Sequence, residues 1–313
     1  MDALRSVAEW PVDHAAVGVV RAGPSDGAPL SAPDGTVATV GTTDRTFPWA
    51  SVTKPATALA VLVATEEGTL SLDEPAGPPG STVRHLLAHA SGLGPDVGPP
   101  LDAPGASRIY SNAGYLVLAR LLAERSGVPF ADYLAAGVLE PLGMTCTSLS
   151  PDPTSGGAAA GLAGPLADLL ALAHELAVPT LISTETHAVA TSVQFPGLGG
   201  VLPGFQRFEP CDWGLGVEIR GHKQPHWTGT ANSPATFGHF GRSGSFLWVD
   251  PQAGMLCAGL SDRTFGLWAV RAWPALADAV LAEWAGLGSV ASGTRGASRT
   301  PEPGAEHRST RHV

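Results

Sequence analysis

Hydrophobic residues near the start of the chain, and again after about residue 205, come in short runs separated by turns rich in Gly, Pro and Asp. Runs of this length with such borders predict β-strands, here at 18–20, 36–40, 214–219, 245–249 and 255–260. The segment from Asp250 to Gly254 predicts a hairpin loop that joins the last two strands.

Between these two regions the hydrophobic spacing becomes helical. One helix is predicted from Ser51 to about Glu67, where Gly68 ends it, and another from Asn112 to Ser126, which Gly127 ends. Shorter helical patterns cover 82–89, 131–139 and 166–176, and a last amphipathic pattern covers 265–284.

This order of elements predicts an α/β (α+β) protein with a discontinuous domain. Residues 1–67 and 205–288 are expected to build one sheet domain, and residues 68–204 an inserted, mostly helical domain. A cleft between two such parts is the natural place for a site. Residues 289–313 are rich in Ser, Thr, Gly, Pro and Arg, with almost no large hydrophobic side chain, so we predict a disordered tail there.

Composition narrows the function classes. The chain is 44% hydrophobic and only 15% charged, which favours a protein with a core to bury. A net charge of −10 argues against nucleic-acid binding, because phosphate requires a cationic surface. No run approaches the roughly 18 apolar residues of a membrane span. The first residues lack the basic and apolar runs of a secretory leader, so we predict a cytoplasmic protein.

Lysine is the scarcest basic residue: of the 18 basic side chains only Lys54 and Lys223 are lysines. Lys54 follows Ser51 by three residues, so on a helix the amine and the hydroxyl share one face. A partly desolvated amine beside a hydroxyl loses its proton and serves as a general base. Alone this spacing is a weak signal, since a capping serine before a surface lysine is commoner. Lys223 has no motif around it and is expected to be exposed.

Two further motifs favour the catalytic interpretation of Ser51 and Lys54 over a capping serine and a surface lysine. Tyr110-Ser111-Asn112 opens a predicted helix, and His239-Phe240-Gly241 lies at a strand edge. In this order, the three elements resemble those of the serine β-lactamase and penicillin-binding-protein superfamily, and most closely its class C β-lactamase and family VIII carboxylesterase branch. Other segments are similar to the same branch, at 49–54, 67–73, 85–93, 140–144 and 247–251, so the resemblance covers roughly residues 10–285.

The resemblance implies a β-lactamase/transpeptidase-like fold, with an antiparallel sheet flanked by terminal helices, and an acyl-enzyme mechanism without a metal or cofactor. Ser51 would be the acylated nucleophile, and Lys54 would hold or accept its proton. Tyr110 would share that proton network and serve the leaving group. The resemblance leaves open whether Lys54 or Tyr110 is the base, because the two would titrate as a coupled pair.

It also implies the binding residues. Asn112 would orient Lys54 and contact the carbonyl side of the acyl group. The backbone N–H groups of Ser51 and of Arg242, just after Gly241, would form the oxyanion hole. His239 would line the pocket opposite the serine. It stands where β-lactamases carry a lysine, so the positive charge there is expected to be weaker and pH-dependent, which disfavours β-lactamase activity.

We therefore predict a serine hydrolase that cleaves an ester, or an amide, of a small molecule. One alternative is a β-lactamase or D-amino-acid peptidase, and another is a catalytically inactive binding protein on the same scaffold. His85 and His89 stand four residues apart but lack an HExxH glutamate, so no metal site is predicted. Arg108 and Arg242 could contact a substrate carboxylate, although we rank that below a surface role. The oligomeric state is not predicted.

Overall fold

The structure is a computed structural model that describes residues 2–21, 36–152 and 156–284. The tail predicted at 289–313 lies outside these residues. The described strands form a six-stranded antiparallel main sheet, ordered β2-β1-β11-β10-β9-β8, and two smaller sheets, β3-β5-β4 and β6-β7. Their bounds are β1 (Ala15–Arg21), β2 (Thr36–Gly41), β3 (Phe47–Pro48), β4 (Ser148–Leu149), β5 (Leu162–Gly164), β6 (Gly200–Val201), β7 (Arg207–Phe208), β8 (Glu218–Ile219), β9 (Phe237–Gly241), β10 (Ser245–Asp250) and β11 (Met255–Ser261).

Helices cover both faces of the main sheet and fill the middle of the chain. The α-helices of the described residues are α1 (Thr53–Glu66), α2 (Val83–Leu87), α3 (Asn112–Ser126), α4 (Phe130–Leu134), α5 (Leu166–Ala177), α6 (Thr184–Ala190) and α7 (Leu267–Trp284). A π-helical turn continues α4 over Ala135–Leu139, and short 3-10 turns lie at Ala3–Glu9, Ala50–Val52 and Gly157–Ala159.

The central strands are buried on both faces, and successive side chains enter two different cores because strand side chains alternate. In β10, Leu247 and Val249 face the core that contains α1 and α5. Phe246 and Trp248 face the opposite core, which α7 covers with Trp273. This double burial explains why β10 and β11 appear in the sequence as continuous hydrophobic runs.

Several predicted elements differ from the structure. The strand expected at 214–219 shrinks to Glu218–Ile219, because residues 214–217 form a turn closed by Gly214 N–H donating to the Val217 oxygen (2.9 Å), with Gly216 in the left-handed region (φ +88°). Helix α6 was not predicted. No helix among the described residues combines the length and apolarity needed to cross a bilayer. The cytoplasmic location and the domain boundaries stay predictions.

Candidate active site

Ser51 lies in the 3-10 turn Ala50–Val52, immediately before α1 begins at Thr53. The preceding residue, Ala50, has φ of +46°, in the left-handed region that a non-glycine residue rarely adopts. Such strain persists only where the surroundings hold it, and it is frequent at functional sites. Here it turns the chain sharply into α1 and leaves Ser51 partly exposed on a wall of a pocket.

Lys54, one turn after Ser51, is fully buried. Its Nζ donates to Asn112 Oδ1 (2.7 Å) and to the backbone oxygen of Ala159 (2.9 Å), and it lies 3.5 Å from Ser51 Oγ. Burial lowers the pKa of Lys54 well below its ordinary value of 10.5.

The two short contacts define how a neutral Lys54 would use its atoms. An amide oxygen and a peptide oxygen can only accept, so they take the two hydrogens of a neutral amine. The remaining lone pair is then left for the Ser51 hydroxyl, which can donate to it. This arrangement is that of a general base beside a nucleophile.

Tyr110 borders the same pocket and lies against Lys54, with the amine 4.6 Å from its ring centroid. Burial raises the pKa of the Tyr110 phenol, and the nearby Ser51 hydroxyl offsets this only in part. The Tyr110 hydroxyl has no well-formed hydrogen bond to any described residue. Tyr110 therefore remains a phenol at neutral pH, which suits a proton donor better than a base.

Two contacts hold the second motif, Tyr110-Ser111-Asn112, in place. Ser111 caps α3 by accepting from Gly114 N–H (2.9 Å), and this cap points Asn112 toward Lys54. His89 accepts from Ser111 N–H at Nδ1 (3.1 Å), and its ring packs 4.6 Å from that of Tyr110. His89 therefore has a structural role, as a buried side chain directly behind the site.

His239 on β9 lines the pocket but carries no positive charge there. Its Nδ1–H donates to the Phe240 oxygen (2.8 Å). Burial, together with the nearby Lys54, lowers the pKa of His239 to about 3. The charge at the third motif is therefore weaker than that of a lysine, in the direction that we expected, because desolvation keeps the imidazole neutral in the neutral pH range.

Gly241 and Arg242 complete the third motif at the end of β9. Gly241 lies so close to the nucleophile's turn that a Cβ added to it would come within 2.4 Å of the Trp49 oxygen. Arg242 is exposed at the pocket, and its backbone oxygen accepts from Phe265 N–H (2.9 Å). The predicted site residues of all three motifs thus meet at one pocket or directly behind it.

The pocket has a volume of about 350 Å³. Polar residues of the three motifs line it together with apolar side chains. Its lining residues are Ser51, Tyr110, Asn112, Leu202, Pro203, Gly204, Trp213, Glu218, His239, Phe240, Arg242 and Phe265.

Comparison with known proteins agrees with this geometry. The sequence profile described as Beta-lactamase matches residues 12–282, which is most of the chain. The chain belongs to the beta-lactamase family. The resemblance and the fold class predicted from the sequence are therefore confirmed.

Individual members of the family show how close the similarity is. The crystal structure of a beta-lactamase from Mycobacterium bovis is 51% identical, covers 90% of this chain and 99% of its own, and superposes with a TM-score of 0.84. Penicillin-binding protein 4* from Bacillus subtilis is 31% identical over 34% of this chain, a match that spans only 31% of that protein's length.

More distant relatives share the fold. EstCE1, described as a hydrolase with promiscuous acyltransferase activity, is 18% identical with a TM-score of 0.70, and the two chains match over 89% and 96% of their lengths. Simvastatin synthase from Aspergillus terreus is 15% identical with a TM-score of 0.69, over 90% and 93%.

Two basic residues are placed differently from our expectations. Arg108 is buried, and its guanidinium donates to the backbone oxygens of Cys211, Ala88, Gln194 and Phe195, so it clamps loops together and is unavailable to a substrate. Lys223 is also buried and pairs with Glu218 at 2.7 Å. The exposed position that we expected for Lys223 is therefore wrong.

Sequence reasoning missed two polar parts of the site. The Ala159 carbonyl is a backbone group and carries no residue signature. Glu218 lay within a predicted strand and had no motif around it. Among the described residues, no group of three or more His, Cys, Asp or Glu side chains is arranged to hold a metal ion.

Proposed function

We propose that this protein is a serine hydrolase that cleaves an ester bond of a small molecule through an acyl-enzyme on Ser51. An amide is the second substrate class that the same chemistry would accept. The observation that carries the proposal is the buried Lys54, whose amine hydrogens are engaged by Asn112 and Ala159 while its third contact is the Ser51 hydroxyl.

Acylation would begin when the Ser51 hydroxyl passes its proton to Lys54 Nζ and Oγ attacks the substrate carbonyl carbon. The lowered pKa of Lys54 supports this assignment of the base, and the raised pKa of Tyr110 argues against the phenolate. The oxyanion of the tetrahedral intermediate would accept hydrogen bonds from the backbone N–H groups of Ser51 and Arg242. One such donor is typically worth about 10²–10³ in rate.

Collapse of that intermediate would break the bond to the leaving group, and Tyr110 O–H would donate a proton to the departing oxygen. The protonated Lys54 would then return a proton to the Tyr110 oxygen, which restores both groups before deacylation. In the second half-reaction water would attack the acyl carbonyl carbon while Lys54 accepts its proton. Lys54 would then return that proton to Ser51 Oγ as the acyl group leaves as the free acid.

A β-lactamase is the second candidate, and it rests on the 51% identity to a protein described as a beta-lactamase. The neutral His239 counts against it, because a β-lactam carboxylate is best bound by a permanent cation at the third motif. A catalytically inactive binding protein is less consistent with a buried amine of lowered pKa beside Ser51, because burying such a group destabilises the fold and is typical of functional sites.

Steady-state assays with p-nitrophenyl butyrate and with a chromogenic cephalosporin separate these functions. Each substrate is given to the wild type, to Ser51→Ala, and to the control Ser126→Ala at the far end of α3, about 21 Å along the helix from Asn112. A fluorophosphonate followed by mass spectrometry reports whether Ser51 becomes covalently labelled.

Ester turnover that disappears in Ser51→Ala and persists in Ser126→Ala supports the esterase. Cephalosporin turnover without ester turnover would identify a β-lactamase instead. If neither substrate reacts and Ser51 stays unlabelled, the hydrolase proposal fails and the binding protein becomes the better account.

A further inference from the structure

A buried charged cluster lies beside the pocket and contains none of the three motifs. Glu218 is buried, with Lys223 Nζ 2.7 Å from Oε1, His226 Nε2 2.9 Å from Oε2, and Trp227 Nε1–H donating to Oε2 at 3.1 Å. Lys223 also donates to the backbone oxygens of Asp212 and Ile219. Because both carboxylate oxygens are already occupied, Glu218 does not offer a free acceptor for a substrate ammonium group.

The members of this cluster lie at different distances from the pocket. Glu218 lines the pocket, whereas Lys223 and His226 do not. In the main sheet Glu218 pairs with Gly238, directly beside His239, so it lies next to the third motif. The Glu218–Lys223 ion pair is therefore a dipole whose negative end is the one at the pocket. In a poorly hydrated site such a fixed field acts more strongly than it would in water.

Among the described residues that line the pocket, no buried side chain opposes that field with a fixed positive charge. His239 is neutral because the ring is buried, and its Nε2 has no hydrogen-bond partner among the described residues that would stabilise a second proton. Lys54 uses its hydrogens on Asn112 and Ala159 and acts as a neutral base in the proposed mechanism. Arg242 is the cation near the opening, and it is exposed, so water and salt screen it.

We propose that the pocket selects esters of uncharged acyl groups over esters whose acyl group carries a carboxylate, and that Glu218 is the specificity-determining residue. This inference rests on the proposed ester hydrolysis and names its substrate class. A carboxylate placed in the pocket would lose its hydration and meet the negative end of the Glu218–Lys223 pair, and a like-charge contact of this kind strongly disfavours a ligand.

The test compares p-nitrophenyl butyrate with mono-p-nitrophenyl succinate, which share the leaving group and the chain length and differ in a terminal carboxylate. For the wild type we expect kcat/KM for the butyrate to be at least about tenfold higher. The double variant Glu218→Gln with Lys223→Met removes both charges and keeps the side-chain sizes, and it should reduce that ratio at least about threefold. Circular dichroism and chemical denaturation establish that the variant is folded, so an unchanged ratio in the folded variant counts against Glu218.

A second variant and a control complete the design. Glu218→Gln alone leaves the Lys223 charge without its partner and, where it folds, should reduce the ratio further, although an unpaired buried charge destabilises it more than the double change. If neither variant folds, the ratio measured for the wild type decides the selectivity. Glu124→Gln removes one exposed carboxylate about 18 Å along α3 from Asn112 and should leave the ratio unaltered.

Similar kcat/KM values for both esters in the wild type, or a ratio that survives loss of Glu218, would overturn the selectivity while leaving ester hydrolysis intact. Absence of turnover of either ester by the wild type would overturn the hydrolase itself. The two failures are therefore distinguishable.

Discussion

Gly241 ends β9 directly against the turn that carries the nucleophile, and Gly241→Ala tests how closely that contact sets the position of Ser51. An added Cβ would lie 2.4 Å from the Trp49 backbone oxygen, 2.4 Å from Ser245 Oγ and 3.2 Å from Ala50 Cβ. Ser245 cannot swing away freely, because its hydroxyl donates to the same Trp49 oxygen at 2.6 Å.

An ordinary contact begins at 3.4 Å, so β9 and the nucleophile's turn must separate by about 1 Å. Since Arg242 follows Gly241, this shift would move one predicted oxyanion donor away from the other, on Ser51. A misplacement of 1 Å can cost about 10²-fold in rate, so we expect kcat to fall about 100-fold. The free energy of unfolding should fall by only about 1–3 kcal/mol, as for other overpacked sites.

Steady-state hydrolysis of p-nitrophenyl butyrate and chemical denaturation measure the two effects separately. Gly98→Ala is the control, because a Cβ there meets nothing within 4 Å and the residue is exposed. If Gly241→Ala retained kcat within about threefold of the wild type, the close contact would not govern the geometry of Ser51 and our reasoning would be wrong.

Three further predictions concern charge and burial. The kcat/KM of the wild type should rise with pH and level off well below 10.5, because burial lowers the pKa of Lys54 and the neutral amine is the proposed base. Lys54→Arg should lose at least about 10³-fold in kcat, since guanidinium keeps its proton. A fully active arginine variant would contradict this. Arg108→Lys should lower the free energy of unfolding in urea by roughly 2–4 kcal/mol, because one ammonium cannot satisfy four carbonyl oxygens, and a change below about 0.5 kcal/mol would count against the clamp. His239 has a pKa of about 3 in the folded protein against an ordinary 6.5, so between these pH values only the unfolded chain binds its proton, and the free energy of unfolding falls as the pH drops from 6.5 toward 3. Between pH 7 and pH 5, the free energy of unfolding of His239→Gln should therefore fall by about 2 kcal/mol less than that of the wild type. Parallel pH curves for the two proteins would refute the neutral state of His239.

Local sequence patterns determined much of the fold and the identity of the chemical groups. The strands β10 and β11 and the helix α3 follow from hydrophobic runs, from the capping Ser111 and from Gly127, all of which act over a few residues. The three-residue spacing of Ser51 and Lys54 brings their side chains to one side of a single turn for the same reason. The order of the three motifs was enough to indicate the family.

Only the tertiary structure decided what state these groups are in. The pKa of Lys54 is lowered because packing removes the amine from water, and its second oxygen partner comes from Ala159, which is 105 residues away. The same holds for Arg108 and Lys223, two charged residues that look solvent-exposed in the sequence and are buried in the structure. Residue types and short spacings are local properties of the chain, whereas burial, protonation and the partners of a charge depend on which distant segments pack around it. The sequence therefore named the candidate reacting groups, and the fold set their burial and their partners.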